Sequence, residues 1–96
     1  MDVLVTYDVQ TIEKAGQRRL RKVSQACQAY GQRVQNSVFE CRVNETQFEQ
    51  LVHRLRRIIN EDEDSLRIYR LHEPKERHVD AYGRRPSYDV NQPMVV

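Results

Sequence analysis

The pattern of apolar positions begins with a short β-prone run at the start of the chain. The segment VLV at residues 3–5 is continuously apolar, and Tyr7 also suits a pleated surface, so residues 1–9 are predicted to form a largely buried strand. Asp8 stands where this strand leaves the core, just before a segment with helical periodicity. We therefore take Asp8 as the first candidate for chemistry.

Small and apolar positions then recur every three or four residues, which predicts an amphipathic helix from residue 12 to residue 30. The stripe consists of Gly16, Leu20, Val23, Cys27 and Tyr30. Thr11 is expected to cap this helix, and Gly31 to end it in the left-handed conformation. With about 100° between successive residues, Arg18, Arg21 and Lys22 point away from the stripe and Arg19 lies on its flank.

Residues 32–43 lose the helical period and are rich in β-branched and aromatic side chains. Asn36-Ser37 in the middle has turn-forming chemistry, which favours two short antiparallel strands over 32–36 and 38–43. A single bent strand is the alternative.

The second helix is predicted over residues 45–60, with Asn44 as its N-cap. Its apolar stripe consists of Phe48, Leu51, Val52, Leu55, Ile58 and Ile59. The acidic stretch after Asn60 is expected to be a solvated loop, and residues 65–71 to form the last strand.

The predicted order is strand, helix, strand, strand, helix, strand. This order predicts an α+β, ferredoxin-like βαββαβ sandwich over residues 1–71, with both helices on one face of an antiparallel sheet. The other face stays open and is expected to be an interface. Residues 72–96 are polar but end in MVV, so we expect an added strand over 78–83 and a C-terminal segment exchanged within a symmetric homodimer.

Composition restricts the class of protein. The 96 residues, 39% of them hydrophobic and 31% charged, fit one globular domain. No apolar run approaches the roughly 20 residues that span a bilayer, and the start lacks the basic segment of a signal peptide, so we expect no membrane association and a cytoplasmic location. Cys27 and Cys41 form no CxxC motif and are interpreted as small buried residues.

Charge is segregated along the chain although the net charge is only +2. Basic residues cluster at 18–22, 54–57 and 84–85, and acidic residues at 61–64. Most of the basic residues are arginines, which suit bidentate contact with phosphate, so a nucleic-acid-binding face is one interpretation. Ordinary solvated helix faces are the other.

Four segments carry a family resemblance. In order they are VLVTYDV, GQRRLRKV, YGQRVQNSVFE and DSLRIYRL, and at these spacings they resemble the CRISPR-associated Cas-two family, the small partner of the Cas-one integrase. The resemblance runs from residue 1 to about residue 71, with a weaker match at GRRPSYD in the tail. It implies a ferredoxin-like homodimer in which the aspartate that closes the first strand, here Asp8, lies near the dimer axis.

The resemblance implies two possible activities. In one, the dimer is a double-stranded-DNA-binding scaffold that bridges Cas-one integrase subunits during spacer acquisition. In the other, it is an endonuclease that uses Mg²⁺, or another divalent cation such as Mn²⁺, to cleave single-stranded RNA or double-stranded DNA. The implied catalytic positions are Asp8, Tyr7, Arg33 and Ser37, with Asp8 also the metal ligand. The implied nucleic-acid contacts are Arg18, Arg19, Arg21, Lys22 and Arg33.

The residues alone also indicate whether Asp8 could bind a metal ion and support hydrolysis. Two symmetry-related Asp8 carboxylates could hold one Mg²⁺ ion, which could activate water while arginines stabilise charge on the phosphate. However, the sequence places no second carboxylate and no histidine beside Asp8, so the residues alone favour a strand-end or helix-entry residue over a metal ligand at this position. Ser37 is also interpretable as a turn residue and Phe39 as core. A third possibility, a ligand-binding regulatory module, is disfavoured because no Gly-rich loop is present.

Overall fold

Six elements alternate in the computed structural model, which describes residues 1–71 and 80–83. They are β1 (Asp2–Asp8), α1 (Lys14–Gln28), β2 (Gly31–Gln35), β3 (Val38–Arg42), α2 (Glu45–Ile58) and β4 (Ser65–Leu71). The four strands form one antiparallel sheet in the order β2-β3-β1-β4. This is the order of a ferredoxin-like sandwich, so the predicted fold class is confirmed.

The core lies between the helices and one face of the sheet. Val3, Val5 and Tyr7 of β1 are buried, and the intervening residues of the strand face the other side of the sheet. Phe39 from β3 and Leu51 and Leu55 from α2 are the largest fully buried side chains. Each such burial contributes about 1.5 to 3 kcal/mol, which explains why the two amphipathic stripes of the sequence determine where the helices pack.

The two ends of α1 differ from the prediction. Its N-cap is Glu13, without a side-chain capping hydrogen bond, so the expected cap at Thr11 is wrong. Gly31 begins β2 and does not adopt the left-handed conformation; within the described chain only Gly83 has positive φ, at 89°. Glycine is needed at position 31 because a Cβ there would overlap the Glu40 carbonyl oxygen of β3 and lie 2.7 Å from Cys41 Sγ.

Gly16 permits a second close approach, in the first turn of α1. A Cβ at this position would overlap the carbonyl oxygen of Gln10. The segment after β1 therefore folds directly back onto α1, which fixes how the chain passes from Asp8 to the helix.

The middle of the chain follows the prediction. β2 and β3 are separate strands joined at Asn36-Ser37, so the single bent strand is excluded, and a register shift lies between Arg33 and Gln35. Asn44 caps α2 as predicted: its side chain accepts from Gln47 N at 2.8 Å, and the Gln47 side chain accepts from Asn44 N at 2.9 Å.

The acidic stretch after α2 is not wholly solvated, which corrects the prediction for this loop. Asp64 is only 9% exposed and accepts hydrogen bonds from three other parts of the chain. The cysteines conform to expectation: Cys27 and Cys41 are buried and free, and burial raises the thiol pKa to about 12 for Cys27 and about 11 for Cys41.

The C-terminal segment lies largely outside the described residues. The predicted strand over 78–83 overlaps the description only at residues 80–83, which form no strand within this single chain. The exchanged tail and the boundary after residue 71 therefore stay predictions. In the described ranges, no helix is both long enough and apolar enough to cross a membrane.

Candidate functional site

One end of the sheet brings together three sequence-distant positions. Asp8 at the end of β1 pairs with Ser65 at the start of β4, and Tyr7 N donates to the Ser37 carbonyl oxygen at 3.1 Å. The Asp8 side chain is exposed, and no hydrogen bond or ion pair engages its carboxylate within residues 1–71 and 80–83. Asp8 is thus accessible to a ligand from solvent, whereas Ser37 contributes to this end of the sheet through its backbone carbonyl oxygen.

Tyr7 points to the opposite face of the sheet from Asp8, because successive side chains of a strand alternate. Its ring is buried against Phe39, with centroids 6.3 Å apart, and its hydroxyl donates to the Asn36 carbonyl oxygen at 3.3 Å. Burial raises the pKa of the Tyr7 hydroxyl, and the nearby Arg33 charge and the Ser24 hydrogen bond offset this only in part. Tyr7 therefore stays protonated at neutral pH and is a hydrogen-bond donor rather than a base.

Arg33 lies on the same side of the sheet as Tyr7. Its guanidinium lies over the Phe39 ring, 5.0 Å from the centroid, hydrogen-bonds the Ser24 hydroxyl of α1, and donates to the Asn36 carbonyl oxygen at 3.3 Å. Its Nε is buried and has no hydrogen-bond partner among the residues that the structure describes. The structure thus brings Tyr7 and Arg33 together on the face of the sheet that packs against the helices and places Asp8 on the opposite face. The predicted site residues therefore do not form one cluster within a single chain.

The donor set for a metal ion is small. Among the described residues, no group of three or more histidine, cysteine, aspartate or glutamate side chains could hold an ion. Asp8 offers one unpaired carboxylate per chain. That suits a hydrated hard cation such as Mg²⁺, which binds through one or two carboxylates and keeps several waters. It does not suit a metal that needs a full set of protein ligands.

The basic residues of α1 divide into two groups. Arg18, Arg21 and Lys22 are exposed and form no ion pair within the part of the chain that the structure describes. Arg19 is different, because its Nε lies 2.8 Å from Asp64 Oδ2 and its Nη2 lies 3.0 Å from Glu63 Oε2. Its side chain is only 17% exposed, so Arg19 is turned toward the acidic loop and away from the exposed basic face.

Sequence reasoning missed Asp64. Its carboxylate also accepts from Gln10 N at 3.0 Å and from Asn60 N at 2.9 Å, and so joins the segment after Asp8 to the α2–β4 loop. Burial raises the pKa of Asp64, but the hydrogen bonds from Arg19, Asn60 and Gln10 outweigh burial and hold the pKa below its usual value. The sequence signal was limited to an acidic run, within which nothing distinguishes this residue.

A groove between α1 and α2 was also not predicted. It encloses about 470 Å³ and is lined by Lys22, Gln25, His53, Arg54, Arg57 and Ile58. The sequence placed the arginines of α2 outside its apolar stripe but could not show that they lie beside Lys22. The two helices thus contribute to one basic surface.

The chain is similar in sequence to proteins of a known family. The model of the family described as CRISPR associated protein Cas2 matches residues 1–79. The chain belongs to the Cas2 family. Among its relatives, the CRISPR-associated endoribonuclease Cas2 1 of Moorella thermoacetica is 56% identical over 96 residues, which is 100% of both chains. The CRISPR-associated endonuclease Cas2 of Halalkalibacterium halodurans is 54% identical over 99% of both chains.

Solved structures have the same fold. The crystal structure of Streptococcus pyogenes Cas2 at pH 6.5 matches with a TM-score of 0.77 and 53% identity, over 86% of this chain and 100% of that chain. A hypothetical protein from Thermus thermophilus matches with a TM-score of 0.71 and 34% identity, over 88% of this chain and 93% of that chain. The Cas2 membership predicted from the four sequence segments is confirmed.

Proposed function

We propose that this chain is a homodimeric, double-stranded-DNA-binding scaffold of CRISPR spacer acquisition, which acts in the cytoplasm and bridges subunits of the Cas-one integrase. The observation that carries the proposal is the exposed group Arg18, Arg21 and Lys22 on α1, for which residues 1–71 and 80–83 provide no ion-pair partner. Such a face binds the phosphates of a duplex independently of sequence, and its affinity falls steeply with salt.

The open face of the sheet supports the homodimer. Leu4, Val38, Tyr69 and Leu71 lie on it, and Tyr69 is 44% exposed. Two chains that pair through these faces bury the apolar side chains and leave α1 of each chain on the outside. Arg19 is not a phosphate contact in this proposal, because Asp64 and Glu63 already neutralise it. Arg33 is likewise not a phosphate contact in this proposal, because its guanidinium is already engaged by the Ser24 hydroxyl, the Asn36 carbonyl oxygen and the Phe39 ring.

A second candidate function, a metal-dependent endonuclease acting on RNA or DNA, is favoured by the Asp8 carboxylate, which is exposed and has no partner among the described residues. In the dimer, the two Asp8 side chains would hold Mg²⁺ or Mn²⁺, which when bound supplies charge neutralisation at a phosphate and an activated water. Tyr7 and Arg33 lie on the face of the sheet opposite Asp8. In this candidate function they hold the end of β1 in place and do not contact the scissile phosphate.

The scaffold is tested with the double substitution R18E/R21E. We expect duplex affinity, measured by fluorescence anisotropy over a salt series, to fall more than tenfold and the salt slope to decrease by about 1.8, since each phosphate contact contributes about 0.9. Dimerisation, measured by light scattering, should not change. Duplex affinity equal to wild type would contradict the proposal.

Asp8→Asn separates the two functions. The scaffold proposal expects spacer acquisition to continue in cells that carry this variant, with only cleavage lost. If acquisition stops while the dimer and duplex binding are intact, the chemistry of Asp8 is the function and the scaffold alone is not sufficient.

A further inference from the structure

The groove between α1 and α2 has an unusual charge balance. Its lining carries Lys22 from α1 and His53, Arg54 and Arg57 from α2, all of them exposed, and no acidic residue of the described chain lines it. Two arginines outside the groove, one on each helix, do have carboxylate partners. Arg19 is bound to Asp64, and Arg56, one position before Arg57, has its Nε 3.8 Å from Glu61 Oε1.

Three formal positive charges therefore share one groove in which the described residues provide no carboxylate partner. Grouping like charges is unfavourable unless an anion neutralises them, and arginine side chains present planar donor groups that match phosphate oxygens. Ile58 and Gln25 complete the lining with an apolar surface and an amide. This composition favours binding of a polyanion over binding of an apolar partner.

We propose that the α1–α2 groove is a second phosphate-binding track, which takes the sugar-phosphate backbone of the duplex that the α1 face binds. Lys22, Arg54 and Arg57 provide the charge, and His53 and Gln25 provide hydrogen-bonding groups. The inference rests on the proposed function, because Lys22 belongs both to the exposed face of α1 and to the groove.

Two features identify the occupant as the backbone of a duplex. Among the described residues, the groove is lined by no phenylalanine, tyrosine or tryptophan, so it lacks the large aromatic platforms that favour unpaired bases. Its basic side chains are exposed rather than enclosed, and through Lys22 they continue along α1 to Arg21 and Arg18. An extended row of this kind suits successive phosphates of one strand better than a single small anion.

The test uses glutamine substitutions, which remove a charge without adding a repulsive one. In R54Q and R57Q, measured on the full-length dimer with a fluorescein-labelled mixed-sequence duplex between about 50 and 200 mM salt, we expect affinity to fall several-fold and the salt slope to decrease by about 0.9 for each variant. The matched control is R56Q, which makes the same change on the same helix outside the groove, and it should bind as wild type does. Circular dichroism and light scattering verify fold and dimer for all variants.

The outcomes are distinguishable. If R54Q/R57Q binds as wild type does while R18E/R21E has lost binding, the groove proposal is wrong and the scaffold proposal stands. If R56Q weakens binding as much as R54Q and R57Q do, overall charge and not the groove is responsible, and the groove proposal is overturned. If the wild-type dimer does not bind the duplex at any salt concentration, both proposals fail.

Discussion

Arg19 and Asp64, 45 residues apart in sequence, form a two-point ion pair between α1 and the loop before β4. Arg19 Nε lies 2.8 Å from Asp64 Oδ2, and Arg19 Nη2 lies 3.2 Å from Asp64 Oδ1. The same carboxylate accepts from Gln10 N, two residues after Asp8. An arginine within a basic cluster therefore serves to fasten the segment that leads from the candidate site into α1.

Replacing Asp64 with asparagine should lower the free energy of unfolding by about 2 kcal/mol. Removing one partner of a buried pair costs about 3 to 5 kcal/mol, and the cost is smaller here because Arg19 keeps Glu63. Chemical denaturation measures the change. The control is Glu63→Gln, whose exposed ion pair is worth about 0 to 1 kcal/mol. Equal losses in the two variants would show that Asp64 has no special role.

The contribution of Asp64 should depend on pH in a defined direction. Burial raises its pKa, but the hydrogen bonds, first of all that from Arg19, bring the pKa below the usual value, so the folded state favours the charged form. The stabilisation is therefore complete above the unfolded pKa, about 3.9, and is lost as the pH falls through the lower folded pKa. The difference in unfolding free energy between wild type and D64N should be constant from pH 7 to about pH 5 and shrink below about pH 4. A difference that shrinks above pH 5 would contradict this assignment.

Gly16→Ala should destabilise the protein although alanine is the better helix former. The helix propensity gains about 1 kcal/mol, but the new Cβ overlaps the Gln10 carbonyl oxygen, a backbone atom that cannot move aside alone. We expect a net loss of roughly 2 kcal/mol, measured by thermal unfolding. Ala15→Gly, in the same helical turn at an exposed position, should cost only about 1 kcal/mol. A G16A variant that is more stable than wild type would disprove the close approach.

The two cysteines should be unreactive in the folded protein. Burial raises the thiol pKa to about 12 for Cys27 and about 11 for Cys41, so almost no thiolate is present at pH 8. Ellman's reagent should label neither thiol until denaturant is added, and labelling in its presence should follow unfolding. Immediate labelling of one thiol in native buffer would show that it is accessible.

Asp8→Asn should remove metal binding without loss of stability. The Asp8 carboxylate has no partner in the described chain, so its replacement breaks no ion pair. Electron paramagnetic resonance of Mn²⁺ with the dimer should detect a bound ion in wild type and none in D8N, and the unfolding free energies should agree within about 0.5 kcal/mol. Tyr7→Phe is the counterpart: it removes the hydrogen bond to Asn36, costs about 1 kcal/mol and leaves the bound Mn²⁺ signal. Bound Mn²⁺ in D8N would remove Asp8 from the metal site.

The elements that sequence predicted well are specified by local patterns. The stripe containing Val23 and Cys27 in α1, the stripe containing Leu51 and Leu55 in α2, and the cap at Asn44 are all read from neighbouring residues, and all are present in the structure. Their order along the chain was then sufficient for the fold class.

The features that sequence missed depend on contacts between distant segments. From the sequence alone, Gly31 is interpreted as the residue that ends the helix. The structure shows instead that glycine is needed there because β3 leaves no space for a Cβ atom. Asp64 accepts a hydrogen bond from Gln10, which is 54 residues away in sequence. Arg54 and Lys22 line the same groove only because α1 and α2 pack side by side. Likewise, Tyr7 and Asp8 are neighbours in sequence but lie on opposite faces, so sequence adjacency did not imply a shared site.

The backbone of Gln10 packs against Gly16 and donates a hydrogen bond to Asp64, and these contacts restrict how Asp8 can move. The short connection that follows Asp8 is held by α1 on one side and by the α2–β4 loop on the other. Asp8 therefore cannot swing independently of α1. In a dimer, a change in the separation of the two Asp8 backbones therefore requires the subunits to move against each other, carrying the arginine-bearing helices with them.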